Sequence, residues 1–225
     1  MVGDDEEAVV IDPGPRERSH EFAIHTTLGD RRLNAVIVTH THVDHAPLAN
    51  PLAADHDAPA LGYGPGPEFE PDDRLVEGSA VTVAGRSLVV LHTPGHADDH
   101  LCFRLGRVLF TGDHIMGGSS VMVDDLSAYL TSLRRLQGET FERLYPGHGP
   151  EIDNPAEVID WYIAHRMQRE EEILAAIRGG AADVDAIVEE VYAAVDRSLY
   201  PLAARSVTAH LVKLAGDRRL HFDRS

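Results

Sequence analysis

The chain has 225 residues, room for one large domain or for a large and a small one. No run approaches the roughly 20 apolar residues of a membrane span, and Met-Val-Gly-Asp-Asp-Glu-Glu at the start has neither half of an export signal, so a soluble cytoplasmic protein is expected. Against 37 acidic side chains stand 20 basic ones, a net charge of −17, and Lys213 is the sole lysine; this pairing resembles the proteins of salt-loving organisms.

In chain order, 8–12 reads as a strand and 15–29 as a surface helix opened by Pro15 and closed near Gly29. Residues 34–39 form a second strand and 46–56 a short helix, followed by a Gly/Pro-rich loop from Gly62 to Pro71. Strands follow at 80–84, 86–92, 100–105 and 107–111. Leu126, Leu130, Leu133 and Leu136 share one face of a helix over 125–137, and a short strand precedes Tyr145. Alternating strands and helices suit an α/β fold of two stacked sheets with helices outside. Cys102 lies in an apolar run and is the only cysteine.

After Pro155 the pattern changes. A long helix is predicted from Ala156 to about Ile177, ended by Gly179-Gly180. An amphipathic helix follows over 184–195, then a third helix opened by Pro201 with Ala203, Val207, Leu211 and Leu214 inward. Gly216-Asp217 makes a turn, and 219–222 reads as a short strand. Helix, helix, turn and strand in that order resemble a winged helix. The boundary then divides a catalytic part, 1–153, from a tail, 154–225. Residues 196–225 hold six basic and three acidic side chains, so Arg205, Lys213, Arg218 and Arg219 are expected to face solvent.

The chemistry resides in four short segments. Thr-His-Thr-His-Val-Asp-His supplies His40, His42, Asp44 and His45; Thr-Pro-Gly-His supplies His96; Phe-Thr-Gly-Asp supplies Asp113; Tyr-Pro-Gly-His supplies His148. Each follows an apolar strand-like run, where a turn aims the side chain outward. Imidazole and carboxylate donors suit two Zn ions, with Fe or Mn also accommodated. Alternate residues of an extended segment share a face, so His40 and His42 can grip one ion and His96 completes it. Asp44, His45 and His148 then serve the second ion, with Asp113 between the two. Three ligands per ion plus a shared carboxylate leave an open position, the mark of a catalytic site. Asp44 also emerges as a catalytic residue that orients the attacking hydroxide. The remaining histidines, among the chain's 14, include His20, His25, His56, His92, His165 and His221, read as ordinary surface or core residues. His100 and His114 are read either as packing or as substrate contacts.

His-X-His-X-Asp-His followed by the later His, Asp and His resembles the motif set of the metallo-β-lactamase superfamily. Val-Val-Ile-Asp-Pro-Gly, Val9 to Gly14, is similar to that superfamily's first motif, which implies that Asp12 supports the metal loop from behind. The resemblance implies an αββα sandwich. Tyr-Ile-Ala-His-Arg (Tyr162 to Arg166), Arg169-Glu170 and the late His-Leu-X-Lys-Leu further resemble the lactamase-like-protein-2 group, which joins that core to a winged-helix-like tail. In that group a strand or two usually precedes the Asp-Pro-Gly motif, so either the start of the chain is misassigned or a sheet edge is left unpaired beside residues 8–12.

A dinuclear metal-dependent hydrolase is therefore expected, with a metal-bridging hydroxide attacking an ester, thioester or phosphodiester. Single-stranded RNA and a glyoxalase-II-type thioester are the specific alternatives for its substrate, and a non-catalytic scaffold is disfavoured because no ligand is missing. A β-lactam is disfavoured by the lack of an export signal and by Asp113, where one lactamase class has cysteine. The tail serves either as an RNA guide or as a packing unit for a homodimer.

Overall fold

The computed structural model describes residues 1–220. Two five-stranded sheets stack face to face. The first has the order β1 (Val2–Gly3), β2 (Glu7–Ile11), β3 (Arg32–Ile37), β4 (Ala60–Gly62), β5 (Asp73–Arg74), parallel from β2 onward. The second runs β6 (Ala80–Val83), β7 (Arg86–His92), β8 (Leu101–Leu105), β9 (Val108–Gly112), β10 (Arg143–Pro146), antiparallel except for the parallel β9–β10 pair.

Strand periodicity explains the layers. Side chains alternate across a strand, so Val9, Ala35 and Ile37 point inward against Val83, Leu88, Val90, Leu101 and Phe103 of the facing sheet. Their neighbours Ala8, Val10 and Val36 point outward, under α1 (Arg18–Leu28) and α2 (Ala49–Asp55), whose Leu28 and Leu52 cover them. On the other side Leu91, Cys102 and Leu109 are covered by α3 (Leu126–Gln137) and α4 (Pro155–Arg178) through Leu130, Leu133, Ile159 and Tyr162. Both sheets are buried on both faces, which is why β2 and β3 are nearly continuous apolar runs. The αββα arrangement expected from the sequence is the one observed. Burial pushes the Cys102 thiol up to about 12, so it packs as a small apolar side chain.

The outer edge of β2 is paired over two positions, Val2↔Val9 and Gly3↔Ala8. A short β1 thus covers part of the edge that the sequence leaves bare.

The tail is a separate cluster. Ile173 and Leu174 of α4 pack with Ile187 and Val188 of α5 (Val184–Val191) and with Ala203, Val207 and Leu214 of α6 (Tyr200–Gly216). Asp183 caps α5 by accepting the Ala186 amide at 2.9 Å. The helix expected over 184–195 ends four residues early, at Val191, and a 3-10 turn at Arg197–Leu199 leads into α6. Arg219 and Leu220 lie outside any strand, and the rest of the strand expected over 219–222 falls outside the described residues, as does His221.

Three basic side chains of the tail are engaged by acids. Lys213, 11% exposed at its side chain, bonds the buried Glu170 at 2.7 Å and Asp217 at 2.6 Å. Arg219 bonds Glu170 and Glu171, and Arg205 bonds Asp124 at 3.0 Å. The expectation of four solvent-facing cations is corrected for Lys213 alone; Arg205, Arg218 and Arg219 do reach solvent, although Arg205 and Arg219 also pair with acids. The acids that pair with Lys213 and Arg219 on α4 lie outside the segment whose charge was counted, so the local excess of basic residues misleads.

Candidate metal centre

All seven candidate ligands sit at strand ends on one edge of the sandwich. β3 delivers Thr39 and His40 into the loop carrying His42, Asp44 and His45; β7, β9 and β10 end just before His96, Asp113 and His148. Two glycines let these loops meet. Gly112 has φ +47°, and a Cβ there would lie 2.7 Å from Thr39 Oγ1. At Gly147 a Cβ would lie 2.8 Å from Asp113 Oδ1.

The structure gathers the expected triads. His40 Nε2, His42 Nδ1 and His96 Nε2 stand 2.9, 3.1 and 3.2 Å from one another. Asp44, His45 and His148 form the second group. His148 Nε2 is 3.1 Å from Asp44 Oδ2, which is 3.7 Å from His45 Nε2. Asp113 lies between them, with Oδ1 3.4 Å from His45 Nε2 and 3.6 Å from His148 Nε2, while Oδ2 is 3.8 Å from His96 Nε2. Its two oxygens therefore address different groups.

Groups behind the site fix the ring orientations. His45 Nδ1 donates to Asp12 Oδ2 at 2.9 Å, leaving Nε2 toward the centre. Asp12 also accepts the Thr39 amide and hydroxyl, each at 2.7 Å, and adopts φ 47° to reach them. Asp99 accepts the Thr41 amide at 2.9 Å and hydroxyl at 2.7 Å, which holds the chain between His40 and His42. His96 Nδ1 donates to the Met122 carbonyl at 2.7 Å. His100 is buried behind the ligands, its Nε2 accepting the Asp113 amide at 3.1 Å, and His114 is buried beside Tyr129. Packing, not substrate contact, is therefore their place. The sequence does not reveal Asp99 or Met122: one is an ordinary loop acid, and the other acts through its backbone.

Burial and neighbouring imidazoles hold His40 and His96 well toward the neutral form, the one that donates a lone pair. Burial works against protonation of His45, yet the carboxylates of Asp113 and Asp12 that face it, the latter through the Nδ1 hydrogen bond, raise it to about 10. That is the mark of a place built for positive charge. A metal fits the donor set on a second observation: His45 Nε2 and Asp113 Oδ1 are buried without a hydrogen-bond partner, and three ring nitrogens converge where protons cannot satisfy all of them.

Comparison with known proteins agrees with this geometry. The sequence profile of the metallo-beta-lactamase superfamily matches residues 1–148, and that of the beta-lactamase associated winged helix domain matches residues 184–224. The chain is 30% identical, over its whole length and 84% of the relative, to a beta-lactamase-like protein 2 homolog of Drosophila melanogaster. It is 32% identical, over 99% of its length and 77% of the relative, to an atrochrysone carboxyl ACP thioesterase of Aspergillus chevalieri. A beta-lactamase domain protein of Burkholderia ambifaria superimposes with a TM-score of 0.82 at 23% identity, covering 99% of this chain and 82% of the other. The fold and the site define a metal-dependent hydrolase of the two-sheet, helix-covered type. The chain belongs to the metallo-β-lactamase superfamily and carries that superfamily's associated winged helix domain. Among the described residues, no helix is long and apolar enough to cross a membrane.

Proposed function

We propose that the protein is a dinuclear zinc hydrolase acting on small acyl thioesters. The observation that carries the two-ion reading is the pair of three-residue groups with Asp113 between them. His40, His42 and His96 would hold one ion, Asp44, His45 and His148 the other, and Asp113 would be shared. Nitrogen-rich sets of this kind favour Zn, with Fe next. When bound, the ions would supply Lewis acidity and lower the pKa of a water to about 7.

The chain's own residues supply the rest. Asp44 and His148 are half exposed, with side chains 50% and 42% accessible, whereas His45 and Asp113 are enclosed. Substrate therefore enters from the Asp44–His148 side, where the Asp44 carboxylate orients the attacking water toward the carbonyl. The oxygen of that water forms the new C–O bond, and the C–S bond breaks to release a thiolate.

A thioester is favoured over RNA on two grounds. One relative at 32% identity is named a thioesterase. Of the four tail cations that would grip phosphates, Lys213, Arg219 and Arg205 are paired with Glu170, Glu171 and Asp124, which leaves Arg218 alone without an acidic partner among the described residues. The test is to incubate metal-loaded protein with S-lactoylglutathione, a nitrophenyl phosphodiester and a single-stranded RNA, alongside His148→Ala. Thioester turnover, lost with one bound ion in His148→Ala, is expected. Faster cleavage of the RNA than of the thioester would overturn the substrate assignment, and a variant that kept both ions and full activity would overturn the ligand assignment.

A further inference from the structure

The Tyr-Ile-Ala-His-Arg motif and the arginine three residues later place no side chain among the candidate metal ligands. They fall on α4, where His165, Arg166 and Arg169 line a pocket of about 280 Å³ at the seam between α4, the 120–122 segment and the α5–α6 region. The far walls are Tyr192, Val195, Leu199 and Leu202.

Arg166 is the unusual element. It is 4% exposed, and it stays charged because a guanidinium does not deprotonate in a protein. Its NH2 donates to the Val121 carbonyl and its plane sits 5.5 Å from the Tyr129 ring centre. Its Nε is buried without a partner, and among the described residues no carboxylate lies within ion-pair distance of it. A buried cation without counter-charge is costly. The surroundings add to the cost, since Arg169 is the neighbouring wall. Arg169 is answered by Glu172 at 2.7 Å and by the Val191 carbonyl at 3.0 Å, but its own Nε is also unpartnered. The buried Arg166 and the half-buried Arg169 thus share one carboxylate, Glu172, which pairs with Arg169 alone.

The pocket supplies what the cation lacks. A guanidinium presents a planar fork that matches a carboxylate or phosphate. The volume of 280 Å³ holds about nine non-hydrogen atoms at roughly a water's ~30 Å³ each. An oxyanion takes up only part of that, and Leu199, Leu202 and Val195 surround the remainder with apolar surface. We propose that this pocket binds a small oxyanion, a carboxylate or a phosphate, carried on a short apolar group, with Arg166 as its counter-charge. The site is distinct from the metal centre, yet it shares a wall with it: Met122, which lines the pocket, is the residue whose carbonyl holds His96.

The experiment uses the metal-loaded full chain in calorimetric titrations at fixed KCl, with hexanoate, butyl phosphate, hexanol and sulfate as probes. Arg166→Met removes the counter-charge, and Leu202→Trp fills the pocket from a partly exposed wall without touching Arg166 or any candidate metal ligand. Saturable binding of hexanoate or butyl phosphate at one site per chain is expected, with hexanol and sulfate at least tenfold weaker. The tighter of the two anions identifies the head group. Both variants should weaken that binding at least tenfold, and loss in Leu202→Trp excludes binding at the metal centre. Absence of binding by both anions, sulfate binding as tight as that of the better anion, or undiminished affinity in Leu202→Trp would each overturn the proposal, whether or not Arg166→Met folds.

Discussion

His96 Nδ1 donates to the Met122 carbonyl oxygen at 2.7 Å, and that hydrogen bond ties the metal centre to the long helix α4. Met122 belongs to the stretch after Asp113 that α4 and α6 strap down. The Tyr162 hydroxyl accepts the Met116 amide at 3.0 Å and donates to the Ser119 carbonyl, Arg166 donates to the Val121 carbonyl, and Arg205 pairs with Asp124. Asp124 and Asp125 in turn donate their amides to the Gly95 carbonyl, next to His96.

Tyr162→Phe should therefore weaken one ion more than the other. Loss of an outer hydrogen bond to a ligating histidine typically costs about 10–100-fold in metal affinity. This substitution acts one step further out, so about tenfold is expected at the His40–His42–His96 group, with little change at the other. Stability should fall by about 1 kcal/mol. Cobalt titration followed by visible absorption separates the two sites. Equal weakening of both ions, or of neither, would show that the strap does not act through His96.

Glu170 locks the tail to α4 with no exposed surface of its own, between Lys213 and Arg219. Breaking a buried pair from one side leaves an uncompensated charge, which costs about 3 kcal/mol. Glu170→Gln should lose about that much. Glu170→Met combined with Lys213→Met removes both main charges, and it should come back to within about 1 kcal/mol of the parent, since Arg219 keeps Glu171. Urea melts at constant salt measure both. A double variant no better than Glu170→Gln would mean that the charges are needed for more than each other.

His210 on α6 is 1% exposed, with neither ring nitrogen bonded. Burial first, and then the charges of Arg166 and Arg169 on α4 and of Lys213 on α6, with His165 adding to them, push it down to about 3. The unfolded chain has an ordinary histidine there, near pH 6.5. Between those values the unfolded state binds the extra proton, so this contribution to stability is complete above about pH 6.5 and is lost as pH falls toward 3. The slope reaches at most about 1.4 kcal/mol per pH unit. His210→Leu should remove it, so between pH 7 and 5 the variant should lose about 2 kcal/mol less than the parent. Identical pH slopes for the two proteins would contradict this.

The sequence showed the metal centre more fully than the tail, and the reason is physical. Candidate ligands at strand ends announce themselves, because an apolar run, a turn and a donor residue stand side by side, as in Val-Leu-Phe-Thr-Gly-Asp before and at Asp113. Asp12 was visible through its motif. Met122 was not, since a carbonyl oxygen has no side-chain signature, and Asp99 stands beside Asp98 in a loop with nothing to tell the two apart. The tail misled for the opposite reason. Lys213 and Arg219 look like solvent-facing cations until α4 brings Glu170 and Glu171 against them from about 45 residues upstream. Pairing at that range leaves no periodicity to read.

The net charge of −17 is carried mostly at the surface, since the buried acidic groups are confined to Asp113 and Glu170 among the described residues. Arginines answer some of it, at Glu77–Arg135, Arg143–Glu151 and Arg104–Glu139, but exposed pairs of this kind contribute about 0–1 kcal/mol each. Asp4, Asp5, Glu6 and Asp55, Asp57, Asp72, Asp73 form acidic stretches without an arginine or lysine partner. Their repulsion opposes the compact state in dilute buffer. Raising the ionic strength toward 1 M shortens the screening length from about 10 Å at 0.1 M to about 3 Å, below the spacing of most of these charges. Screening weakens the favourable pairs as well, but they are fewer than the unpaired acids. The melting temperature of the metal-loaded protein should therefore climb steadily as KCl rises from 0.1 to 2 M, with a larger gain at pH 8 than at pH 5, where part of the carboxylate charge is already neutralised. A melting temperature that is flat or falls over that range would remove the salt-loving reading and leave the acid excess without a stabilising role for salt.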